Sequence, residues 1–86
     1  AMWAGAYGSQ GKAVASASFG VPSGNLAERA EHPTFRAIRE HEGNHMIFGQ
    51  GAVPILRSGV VIGACGVGGG TGQEDEDCAR AGVELL

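Results

Sequence analysis

The clearest pattern of apolar and polar positions lies in the second half of the chain. Val53 to Arg57 is a short β-rich run, and Val60 to Val67 is a second run that is nearly all apolar. Between them stands Ser58-Gly59, a pair suited to a tight hairpin turn. The pattern predicts two consecutive strands, the second covered on both faces. Gly68-Gly69-Gly70 then turns the chain. Thr71, with Glu74 three residues on, has the spacing of a capping box and predicts a helix start. The carboxylates Glu74 to Asp77 fall in its first turns, where they complement the helix dipole and are expected to be solvated. From there Cys78, Ala79, Ala81, Gly82, Leu85 and Leu86 share one face at helical period, with Asp77, Arg80 and Glu84 opposite.

The first half reads as helical. Gly8 to Phe19 is a run of small residues with Lys12 as its only charge, closed by Gly20 and Pro22. Ser23 to Glu31 is a shorter helical segment with Leu26, Ala27 and Ala30 turned inward. Pro33 suits the first position of a third helix, in which Phe35 and Ile38 share a face and Gly43-Asn44 ends the run. His45 to Phe48 is expected to begin the first of three strands. The predicted fold class is therefore α/β in the α+β sense, an antiparallel sheet with helices packed on it.

Three stretches carry a family resemblance. GVVIGACGVGGGTGQEDEDCARAG resembles the C-terminal signature of the GlcG/HbpS-like family, the so-called haem-degrading domain. IFGQGAVPI, from Ile47 to Ile55, resembles its Phe-Gly-Gly-Gly-Val-Pro strand, and GKAVASASFG, from Gly11 to Gly20, its Lys-Ala-x-x-Ala helix. The resemblance implies a profilin-like GlcG-type architecture, lacking here the family's first helix and two strands. Residues 1–86 would then be a single domain or the C-terminal part of one. It further implies a small-ligand or tetrapyrrole (haem)-binding protein that forms oligomers. The alternative is an enzyme, or an accessory enzyme subunit, whose site forms against a separate N-terminal polypeptide. A complementary polypeptide or subunit is the expected partner. Expected ligand-binding residues are Gly49, Gln50, Gly51, Gly68, Gly69, Gly70 and Thr71. His45 and Met46 are the expected axial candidates, from a wider set that includes Tyr7, His32, His41, Cys65 and Cys78.

Composition narrows this picture. Eighty-six residues with 43% hydrophobic content suit one small globular domain. A net charge of −3 gives no footprint for nucleic acid. No apolar run is long enough to span a bilayer and no signal peptide is visible, so a cytoplasmic location is expected. Two cysteines are too few for a stapled scaffold and are read as small buried hydrophobes.

His41-Glu42-Gly43-Asn44-His45 matches H-E-x-x-H, but a zinc hydrolase needs both histidines on one helical face. Gly43-Asn44 breaks that helix, and no metal site is expected. The GVGGGTG corner lacks the Lys of a phosphate-binding loop and faces four carboxylates, so it reads as a tight strand-to-helix turn. No Ser–His–Asp or Cys–His pattern is present, and catalytic residues are left unassigned.

Overall fold

The computed structural model describes the backbone of residues 2–43 and 45–86 and the side chains of residues 7–43 and 45–86. The elements run α1 (Met2–Phe19), a 3₁₀ helix (Ser23–Arg29), α2 (Pro33–His41), β1 (Ala52–Arg57), β2 (Val60–Gly66) and α3 (Gly72–Glu84). The strands form an antiparallel ribbon joined at Ser58-Gly59, both with positive φ, as a tight primed hairpin requires.

Register decides what each face of the ribbon meets. Ala52/Gly66, Pro54/Ala64 and Leu56/Val61 are paired on one face, and Val53/Cys65 and Ile55/Gly63 on the other. The register slips between Ile55 and Leu56, leaving Ile62 as the extra residue of a bulge. Helix α1 presses on the first face. A Cβ added at Gly66 would collide with the Ser9 carbonyl and lie 3.1 Å from the Ala13 methyl. Near the end of α1, Gly20 sits against Val61. Helix α3 covers the other face, with Gly82 beside the Cys65 sulfur.

The apolar core lies beside this ribbon. Ala15, Leu26, Met46 and Phe48 are buried together, with Val14, Phe19, Phe35 and Ile38 packed around them. Phe19 stacks on Phe35 with centroids 5.4 Å apart, and both meet Phe48 edge-on at 5.8 Å. Phe35 and Ile38 thus face inward from α2, as their spacing predicts.

Several caps take the expected form. Thr71 Oγ1 accepts from the Glu74 amide at 3.2 Å, and Glu74 Oε1 accepts from the Thr71 amide at 2.8 Å. Pro33 opens α2 behind His32, whose Nδ1 accepts from the Thr34 amide. Gly20 follows α1 with φ +70, and its amide donates to the Ser16 carbonyl at 2.8 Å.

Five expectations need correction. Helix α1 begins at Met2, not Gly8. Ser23–Arg29 is 3₁₀, with Leu26 buried but Ala27 exposed. His45–Phe48 is not a strand. Met46 and Phe48 are buried and Ile47 exposed, a strand-like alternation, yet the Ile47 amide donates to the Gly11 carbonyl of α1, so no ladder forms. Strand β2 is not covered on both faces: Val60 and Ile62 are 62% and 56% exposed, because the helices reach mainly its far end.

The fifth correction concerns α3. Its inward stripe is Gly72, Asp75, Ala79 and Val83, while Cys78, Ala81, Gly82, Leu85 and Leu86 are exposed. Cys78 is therefore not a buried thiol. The two terminal leucines dominate the apolar pattern but lie at the end of the helix, beyond the reach of the ribbon. The predicted role of Asn44 in ending α2 falls outside the described residues; Gly43 has φ +69.

Two stability effects are expected. Thr71→Ala should cost about 1 kcal/mol through loss of the cap. Gly66→Ala should cost roughly 1–3 kcal/mol by forcing α1 off β2. Urea denaturation of each variant beside the parent measures both.

Candidate functional site

Two places gather the predicted residues. The first is a hub around Lys12. Its Nζ donates to the carbonyls of Gln50 and Val67, each at 3.2 Å, and stands 3.7 Å from Asp75 Oδ2. Both side chains are largely buried. The other Asp75 oxygen accepts from the Gly70 amide at 2.9 Å. Gly51 has φ +143, and a Cβ there would lie 2.7 Å from Lys12 Nζ, so only glycine fits. The Val67 amide donates to the Gly51 carbonyl at 2.9 Å, and the Gln50 amide group donates to Gln73 at 3.1 Å.

The structure therefore brings Gly49–Gly51 and Gly68–Thr71 together. It joins them through their own polar groups, with Lys12 and Asp75 as the link. Neither partner was legible as such: Lys12 was a lone helix charge and Asp75 one of four solvated acids. They are distant in sequence, and no local spacing connects them.

The second place is an open cleft of 600 Å³ between α1 and the segment after α2. Tyr7, Gln10, Gly11 and Val14 line it from α1, at the i, i+3, i+4, i+7 spacing of one helical face. Glu42, His45 and Ile47 line the opposite wall. The Ile47–Gly11 hydrogen bond, 3.0 Å, pins the two walls together. Gly11 makes this approach possible, since a Cβ there would overlap the Ile47 side chain at 2.6 Å. His45, Glu42 and Tyr7 are exposed, and Val14 leans onto the core. The cleft offers an imidazole, a carboxylate, a phenol and an amide around apolar walls.

The other candidates are scattered. Met46 is in the core cluster and does not line the cleft. His32 caps α2, and His41 is the last residue of α2 and exposed. Because α2 stops at His41 and His45 lies in irregular chain, the two histidines of the H-E-x-x-H match do not share a helical face. Among the described residues no group of three or more His, Cys, Asp or Glu side chains is placed to hold a metal ion. No described helix is long and apolar enough to cross a membrane.

A family described as haem degrading protein HbpS-like matches residues 1–84. The chain belongs to this HbpS-like family. Solved structures agree on the fold. A PduOC:heme complex superposes with a TM-score of 0.82 at 19% identity, over 98% of this chain and 62% of that one. HbpS itself gives 0.72 at 27% identity, over 93% and 55%. Klebsiella pneumoniae protein ORFY gives 0.74 at 23% identity, over 86% and 52%. No curated protein matches. The chain thus spans between half and two-thirds of the HbpS-like chains it resembles, and the antiparallel ribbon with packed helices is the part they share.

The hub generates the prediction of this section. Lys12→Met leaves the Asp75 carboxylate buried without its cation and should cost about 3 kcal/mol. Adding Asp75→Asn to Lys12→Met should recover part of that loss. Thermal melting of the single and double variants checks both statements.

Proposed function

We propose that this chain binds a tetrapyrrole, haem being the leading candidate, in the cleft between α1 and His45–Ile47. The observation that carries the reading is the placement of the exposed His45 imidazole beside apolar Val14 and Ile47 in a cleft of 600 Å³. Ligand pockets commonly span about 300–1,000 Å³ with mainly apolar walls. A haem needs apolar surface for its macrocycle and a nitrogen, sulfur or oxygen donor for its iron. Val14 and Ile47 supply the first, and the His45 imidazole the second. Gln10 and Tyr7 are positioned at the cleft for polar edge groups. Membership of a haem-degrading family and the haem complex of a fold neighbour support the same reading.

Bound haem iron would supply redox chemistry; the chain's own residues bind and orient it. Met46 is committed to the core, so the axial role rests on His45. Gln50 and Gly70 act at one remove in this reading: the Gln50 carbonyl accepts from Lys12 and the Gly70 amide holds Asp75, the partner of Lys12, which ties down α1, one wall of the cleft.

The proposal extends to a partner. Val60 and Ile62 are bare, and a two-stranded ribbon is marginal alone. The occupant proposed for this face is polypeptide carrying the remaining strands and helix of an HbpS-like domain, since the solved relatives are longer than the part matched here.

Titration with haem, followed by its Soret band, tests the main proposal. His45→Ala should weaken binding at least about tenfold, as loss of an iron ligand does. His41→Ala, outside the cleft, should leave it unchanged. Absence of a shifted Soret band, or an unaffected His45→Ala variant, overturns the assignment. Native mass spectrometry tests the partner. A species containing companion polypeptide is expected; a well-folded single 86-residue chain with no companion refutes it.

A further inference from the structure

The ribbon has two unlike edges. The outer edge of β1 is closed by the chain itself. Buried Ser23 stands beside it: its Oγ accepts from the Ala52 amide at 3.0 Å and lies 3.5 Å from the Ala52 carbonyl oxygen. Ala52 therefore turns both backbone groups away from β2. Gly51, one residue earlier, turns inward and accepts from the Val67 amide. Backbone groups alternate in this way along an antiparallel pair, so Pro54 also faces outward, and proline has no N–H to offer there. Arg57 adds a charge to the same strand.

The outer edge of β2 has neither guard. Val60–Gly66 carries no charge and no proline. Among the described residues its one strand neighbour is β1. Ala64 is paired with Pro54, so by the same alternation its N–H and C=O point out of the ribbon on the far side. The Ile62 bulge lies toward the turn and leaves Gly63–Gly66 in regular register. Burial follows the asymmetry: Val53 is 3% exposed, while Cys65, its partner in the pair, is half-buried. Free backbone groups on an unguarded edge accept another strand.

We propose that the companion polypeptide attaches as an added strand on the outer edge of β2, hydrogen-bonded to the Ala64 backbone. This rests on the reading that a companion completes the domain, and it adds the edge that the companion joins. The occupant is an extended segment of that polypeptide, uncharged where it borders Gly63–Gly66. Main-chain hydrogen bonds supply the attachment, and side chains of the new strand shield Val60 and Ile62. The solved relatives, of which this chain spans 52% and 62% in two cases, are long enough to carry such a segment.

Ala64→Pro tests it on the protein purified with its companion. The substitution deletes the outward N–H and spares the ribbon, because Ala64 and Pro54 form a pair without hydrogen bonds between them. Native mass spectrometry should show the companion lost from Ala64→Pro and kept by Ala64→Ser. In the parent complex the Ala64 amide should exchange slowly, like an amide inside the ribbon. That exchange rate decides the matter alone if Ala64→Pro fails to fold. A companion kept by folded Ala64→Pro, or an Ala64 amide exchanging as fast as that of Gly69 in the glycine turn, overturns the edge assignment and leaves the companion reading standing. A parent that carries no companion, or pairs only with its own copies, refutes both.

Discussion

One ammonium group holds the two halves of this structure in register. Lys12 leaves α1 and ends among two backbone carbonyls and a carboxylate, drawn from the segment before β1, the end of β2 and the first turn of α3. A lysine ammonium has three protons to donate and no use for an acceptor. The two carbonyls accept hydrogen bonds and the carboxylate, 3.7 Å away, supplies the opposite charge while the side chain is largely withdrawn from water. Burying a charge is costly unless it is paired and hydrogen-bonded, so the arrangement works only with all partners present. The two helices lie on opposite faces of the ribbon, and this cluster at its open end is where they are joined.

The cleft depends on that anchorage. Its α1 wall is one helical stripe, and its other wall is irregular chain tied to α1 by the Ile47–Gly11 backbone hydrogen bond. A wall of this kind has no ladder to fix it. Its position comes from Met46 and Phe48, which sink into the core on either side of exposed Ile47. The core thus positions His45 without including it.

The legible part of the fold was the part encoded locally. Ser58-Gly59, the Thr71–Glu74 box and Pro33 each act within a few residues, and each is found where its spacing placed it. The family signature carried the fold class for the same reason, since it is written in contiguous motifs. The stripe of α3 was misread because its buried positions are occupied by Gly72, Asp75 and Ala79, which carry little apolar signal, while Leu85 and Leu86 are large and exposed. The segment at Met46–Phe48 was misread because alternation reports burial, not the identity of the hydrogen-bonding partner. In the site, His45 was nominated and lines the cleft; Gln10, Val14 and Glu42 were missed. The spacing of Tyr7, Gln10, Gly11 and Val14 was available as a helical stripe, but nothing in the sequence says what lies across from it.

The glycines of α1 have a kinetic consequence. Gly8 and Gly11 lie within the helix, and each is about 1 kcal/mol less favourable there than alanine. Such a segment has little tendency to remain helical in isolation. The hairpin needs only a two-residue turn, and α3 carries its own cap, so both can form from nearby parts of the chain. Helix α1 meets Leu26 nearby in the chain, but its contacts with Gly66, Ile47 and the Lys12 partners all lie far along it. Its ordering is therefore tied to long-range loop closure, and the same close contacts that shape the cleft make its first wall a late arrival on the folding route.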